Sequence, residues 1–155
     1  MPERRAAGLM RALGEEIGIP GLALDDAGCC SLDFDGTVVN FELAAASRQL
    51  FLYANIGEIS AAAGAGLYQR LLDANLLWKG TAGATLALDQ SGNRVVMQQA
   101  VAVEHVSDAD FKAMVEAYVA VAEEWAKRVE EAAAEFVPRR DAALSPMLIN
   151  LTMLA

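Results

Sequence analysis

The sequence predicts an α+β domain in the order α-β-β-β-α-β-β-α, with a twisted antiparallel sheet packed against helices. Three observations carry that reading. Apolar residues repeat at helical spacing near both ends of the chain, and strand-like runs rich in β-branched and aromatic residues lie between them. Two turn-rich connections, Asp35-Gly36 and Asp89–Asn93, each separate a pair of strand-like runs at hairpin distance. A capped amphipathic stretch opens at Ser107 and continues for several turns.

Residues 4–17 place Ala6, Leu9, Met10, Leu13 and Ile17 on one side of a first helix, which Gly18 and Pro20 end. After the link GIPGLALDDAG, strands are predicted at Cys29–Phe34, Thr37–Leu43 and Arg48–Ile56, the first two joined by the tight turn Asp35-Gly36. Ser60 can cap a second helix whose stripe is Leu67, Tyr68, Leu71, Leu72, Asn75 and Leu76, ending near Lys79-Gly80. Strands Ala84–Leu88 and Arg94–Val103 form a second hairpin. Ser107 to Asp110 reads as a capping box that opens a long helix with Phe111, Met114, Val115, Tyr118, Ala122, Trp125 and Val129 on one face. Pro138 stops it. Residues 1–137 are therefore read as one domain, followed by an apolar C-terminal tail, 138–155, of uncertain order.

A length of 155 residues suits one compact domain, and a 55% hydrophobic composition leaves more apolar surface than one small core absorbs, so part of it is expected to meet a partner. The net charge of -9 repels phosphate backbones, and no Lys/Arg cluster offsets it, so nucleic-acid binding is not expected. Eight acidic and three basic residues between Asp108 and Glu135 give the last helix a net of -5, read as a solvated outer face. The longest uncharged run, Ala142–Ala155, has 14 residues, fewer than the ~20 that cross a bilayer. The N-terminus carries Glu3, Arg4, Arg5, Arg11, Glu15 and Glu16 and lacks a signal-peptide core, which predicts a cytoplasmic location. Cys29 and Cys30 are neighbours on a predicted strand and would point to opposite faces, so no disulfide is expected between them and they read as buried strand thiols.

The sharpest catalytic lead is Asp33-Phe34-Asp35-Gly36-Thr37, which resembles the nucleophile motif of haloacid-dehalogenase-like phosphatases. That chemistry needs a parallel sheet with a helical crossover, whereas here the strand-like TVVNFEL follows at once, as a hairpin turn requires. No downstream Lys or paired-acid motif completes such a site. The single histidine, His105, has no Cys or His at metal-ligand spacing, and Gly64/Gly66 and Gly80/Gly83 make no phosphate-binding fingerprint, so neither metal nor cofactor is expected.

Over roughly residues 5–130 the chain resembles the type III secretion chaperone family that includes the Tir chaperone. The resemblance runs through the first helix into Ile17–Asp25, the hairpin Cys30–Glu42, Leu50–Ala54 and, above all, Tyr68–Asp89, where helix, Gly-rich connection and strand follow in that family's order. It implies a secretion-chaperone-like fold and a homodimer that wraps the extended N-terminal segment of a secreted effector and keeps it secretion-competent, without nucleotide, metal or catalysis. An extended client can add a strand to an open sheet edge and seat alternate side chains in an apolar groove. Candidate client-binding residues are then Leu9, Leu13 and Ile17 of the first helix with Phe34 and Val38 of the hairpin. Candidate dimer residues are Leu67, Leu71, Trp78 and Leu86. For each of these the protomer core is an equal alternative, because a stripe does not say which surface covers it. A regulatory adaptor of the same fold, sequestering a secretion or transcription regulator, is the second functional reading.

Overall fold

The computed structural model describes residues 1–59, 64–91 and 93–135 of the chain. The expected Ser60 cap, Gly92 of the second hairpin loop, the Pro138 stop and the tail 138–155 lie outside the described residues. The elements are α1 (Pro2–Ile17), β1 (Cys29–Phe34), β2 (Thr37–Ala44), β3 (Gln49–Glu58), α2 (Gly64–Asn75), β4 (Thr85–Asp89), β5 (Arg94–Ala102) and α3 (Asp108–Glu135). Short 3-10 turns at Ala45–Ser47 and Leu76–Trp78 follow β2 and α2. The predicted order is the observed one. The first helix begins at Pro2, two residues earlier than the apolar stripe indicates, because proline is well suited to a first turn whose N–H groups have no helical partner.

The five strands pair antiparallel throughout, in the order β1-β2-β3-β5-β4. Phe34 pairs with Thr37, so the DFDGT motif is the bend of a two-residue hairpin, with positive φ at Asp35 and Gly36. The Asp33 carboxylate accepts the Gly36 N–H at 2.7 Å. An antiparallel turn of this kind differs from the parallel strand and crossover on which the phosphatase motif depends.

Alternation along the strands sorts side chains to two faces. Leu32, Val39, Phe41, Leu50, Leu52, Ala54, Met97 and Val101 share the inner face and are buried. Helices α1 and α3 cover this face with Leu9, Met10 and Leu13, and with Phe111, Val115, Tyr118, Ala122, Trp125 and Val129. The spacing of the second set, i, i+4, i+7, i+11, i+14 and i+18, is one stripe of a long helix. Ser107 caps that helix as expected: its Oγ accepts the Asp110 N–H at 3.0 Å and donates to the Asp110 carboxylate at 2.6 Å.

Two contacts fix α3 on the sheet. Tyr118 Oη donates to the Met97 carbonyl at 2.6 Å in the buried interior, and burial pushes its phenol far above the usual tyrosine range. At the β3 bulge between Asn55 and Gly57, Gly57 has φ 156 and passes so close to α3 that an added Cβ would lie 2.8 Å from Val129 Cγ1. Three further contacts tie α1 to α3 and the residues just before it. Arg5 reaches Asp108 at 2.6 Å and the Val106 carbonyl at 2.5 Å, while Lys112 meets Glu16 at 3.0 Å.

Gly57→Ala is expected to destabilise the protein by roughly 1–3 kcal/mol, since strain and overpacking act together. Tyr118→Phe is expected to cost about 1 kcal/mol by removing one buried hydrogen bond to the Met97 carbonyl. Urea unfolding checks both: the midpoint should fall with the slope unchanged, and a midpoint equal to wild type for either variant would contradict the contact assigned to it.

Candidate protein-binding surfaces

The C-terminal half of α1, the tip of β1 and the first half of α3 enclose a groove of about 590 Å³. Leu13, Ile17 and Phe34 line one side, and Val115 and Val119 line the other. Leu13 and Ile17 are neighbours on one helical face, and the left-handed Gly18 cap then turns the chain away, leaving Ile17 at the rim with 36% of its surface exposed. Phe34 comes from the inner face of the last β1 residue and is half-buried against the core. Polar groups stand along the lip: Lys112, paired with Glu16, and Glu116 and Glu123.

Three of the five residues expected at a client site thus meet in one groove. Leu9 belongs to the same stripe one turn earlier, where it is fully buried in the core and does not line the groove. Val38 pairs with Asp33 on the opposite face of the sheet and is 48% exposed there, because successive strand residues alternate. Val115 and Val119 complete the groove from α3. In sequence Val115 is hidden inside a stripe that reads as core, and Val119 lies beside that stripe.

Beside the groove runs the outer edge of β1. Its start is closed, because Asp25 accepts the Ala27 and Cys29 N–H groups at 2.9 and 2.8 Å, and its own N–H bonds the Cys29 carbonyl. Beyond that point the antiparallel alternation turns the backbone N–H and C=O of Ser31 and Asp33 off the sheet. Among the described residues nothing bonds to them. Cys29 and Cys30 lie at the start of this strand on opposite faces, both half-buried and free. Partial desolvation and the Asp25 carboxylate raise both thiols, and Glu42 raises Cys29 further, so neither is activated as a nucleophile.

The far edge of the sheet is built differently. The Asn75 side chain, at the end of α2, donates to the Leu86 carbonyl and accepts the Leu86 N–H, both at 2.9 Å, and so takes the place of a further strand on β4. Helix α2 lies along this edge and buries only a narrow line, Leu67, Leu71 and Ala74. Leu67, Leu71 and Leu86, expected at a dimer seam, are each no more than 5% exposed and belong to the protomer core. The opposite side of the stripe is bare: Tyr68, Leu72 and Leu76 are exposed, as are Leu77, Trp78 and Leu88 nearby. The stripe is too wide for one strand edge to cover, a signal already present in its seven apolar positions from Leu67 to Leu77.

Leu77 and Trp78 both have positive φ, a conformation that costs an L-residue about 1–2 kcal/mol each. The turn is held in place from behind. Trp125 Nε1 donates to the Gly80 carbonyl at 2.9 Å, Lys79 pairs with Asp73 at 2.7 Å, and the Gly80 N–H bonds the Ala74 carbonyl. The strain therefore presents two large apolar side chains outward, Leu77 with 85% of its surface exposed.

Residues 8–126 match the Tir chaperone protein (CesT) family. The chain belongs to that family. Solved structures with the same fold include the ExsC–ExsE complex, with 24% identity, a TM-score of 0.70 and coverage of 82% of this chain and 95% of that one. The HopA1–SchA chaperone–effector complex is 21% identical, with a TM-score of 0.65 and coverage of 83% and 95%. The Yersinia pestis type III secretion chaperone SycH, solved with a fragment of YscM2, is 16% identical, with a TM-score of 0.62 and coverage of 77% and 98%. No curated protein sequence matches the chain. Among the described residues no helix is long and apolar enough to cross a membrane.

Asn75→Ala is expected to free the Leu86 backbone and cost about 2 kcal/mol, two hydrogen bonds at roughly 1 kcal/mol each. Hydrogen exchange at the Leu86 amide should accelerate selectively in this variant; unchanged protection there would show that Asn75 does not hold the edge.

Proposed function

We propose that this chain is a dimeric chaperone of type III secretion that binds the extended N-terminal segment of one effector and keeps it soluble and ready for export. The observation that carries the reading is the placement of an apolar groove beside an unpaired strand edge on a member of the Tir chaperone family. A client running along β1 can bond to the Ser31 and Asp33 backbone and seat apolar side chains against Leu13, Ile17 and Phe34. Backbone pairing is indifferent to client sequence, and the groove adds selectivity. The related structures named as chaperone–effector and secretion-chaperone complexes support the same partner class here. The protein works by binding rather than catalysis, in the cytoplasm, where an effector waits before export.

A second copy is the proposed cover of the α2–β4 edge. Six of the ten large apolar side chains exposed among the described residues lie there, Leu72, Leu76, Leu77 and Trp78 with Tyr68 and Leu88, which is where a two-fold seam removes most apolar area from water. The buried Leu67, Leu71 and Leu86 act as its foundation.

The two surfaces are separable by substitution. Ile17 is rim-exposed, so Ile17→Asp should leave the fold intact and weaken client binding at least about tenfold, from the desolvation cost of a carboxylate in an apolar groove. Leu72→Asp should leave the protomer folded and convert the dimer to a monomer. Co-purification from the native cell identifies the client, and light scattering at micromolar concentration reads the dimer. A monomeric wild type would overturn the dimer, and a client retained fully by Ile17→Asp would move the binding site elsewhere. Recovery of a transcription or secretion regulator instead of an effector would favour the adaptor reading.

A further inference from the structure

The lip of the groove is acidic in a way its floor is not. Of its four charged residues, Lys112 is occupied by Glu16 at 3.0 Å, whereas Glu116 and Glu123 have no ion pair or hydrogen bond among the described residues. The lip thus carries three acids and one base, a net of -2. Both free carboxylates are exposed on the same side of α3 as Val119, which lines the wall. Seven residues of helix separate them by about 10 Å, the span of roughly three residues of extended chain.

Resting on the chaperone reading above, we propose that this groove selects its client by charge as well as by apolar fit: the segment seated there carries apolar anchors bordered by Lys or Arg, which meet Glu116 and Glu123. The Lys112–Glu16 pair closes the remaining polar positions of the lip to acidic side chains. An acidic client segment would face unbalanced carboxylates, and like charges brought together on docking are a source of discrimination against wrong partners.

The test uses the full chain and fluorescein-labelled peptides that alternate Leu or Val with Ser and differ only in whether the flanking positions are Lys, Gln or Glu. At about 50 mM salt, where lip charges are weakly screened, the Lys series should bind about tenfold more tightly than the Glu series, with Gln between them. At about 500 mM salt that ratio should collapse. Replacing both carboxylates, Glu116→Gln with Glu123→Gln, should reduce it to below about threefold at low salt, and because both side chains are exposed the double variant should fold normally. Equal binding of all three series, abolished by Ile17→Asp, would overturn charge selection while leaving the groove as the client site. If no series binds, the groove itself is misassigned as a client site. If binding emerges only after Arg139→Glu with Arg140→Glu, the occupant is this chain's own C-terminal segment and the proposal is overturned.

Discussion

The seating of α3 on one face of the sheet is the constraint on which the remaining features depend. A five-stranded antiparallel sheet exposes two faces, and among the described residues α1 and α3 cover only one of them. Tyr118 is anchored in the middle of that face by its bond to the Met97 carbonyl, and Gly57 lets the far part of α3 approach β3 without a side chain between them. Beside α3, α1 is seated by its buried Leu9, Met10 and Leu13, and Asp108 and Lys112 add ion pairs between the two helices. The groove is the gap left where α1 turns away at Gly18 while α3 continues. The ion pairs between the two helices fall eleven residues apart on α1 but four apart on α3.

The two sheet edges show how similar backbones can be put to different uses. At β4 a side-chain amide supplies the donor and acceptor that a neighbouring strand would have supplied, and the helix that carries it also carries the exposed leucines. At β1 the equivalent groups are left unpaired next to the groove. The groove and the exposed leucines thus lie at opposite edges of the sheet, each reachable by surface substitution without altering the core.

Most of the fold was legible in the sequence because local signals agreed with one another. Asp35-Gly36 dictated a hairpin, Ser107 with Asp110 dictated a helix start, and the α3 stripe is buried almost as its spacing requires. The groove was legible in part. Leu13, Ile17 and Phe34 come together, but Val38 does not, since one step along a strand reverses the face and the sheet's covered side is unknown until the helices are placed. The α2 stripe was the hardest to divide. Leu67 and Tyr68, or Leu71 and Leu72, are adjacent apolar residues that face about 100° apart, and only the position of β4 decides which of each pair is buried. The paired bonds of Asn75 had no sequence signal beyond a polar residue on an apolar stripe.

The blocked edge at Leu86 also bears on how copies of this protein can stack. A sheet with two open edges is a template for unlimited growth, the free strand of one molecule adding to that of the next until a fibre forms. With Asn75 on β4, the Leu86 position of that edge is already bonded, so β1 of a second molecule finds less free backbone to pair with there. Contacts through the leucines and tryptophan beside it are side-chain contacts, which can close on themselves around a two-fold axis. An edge capped in this way favours a small closed assembly over a filament.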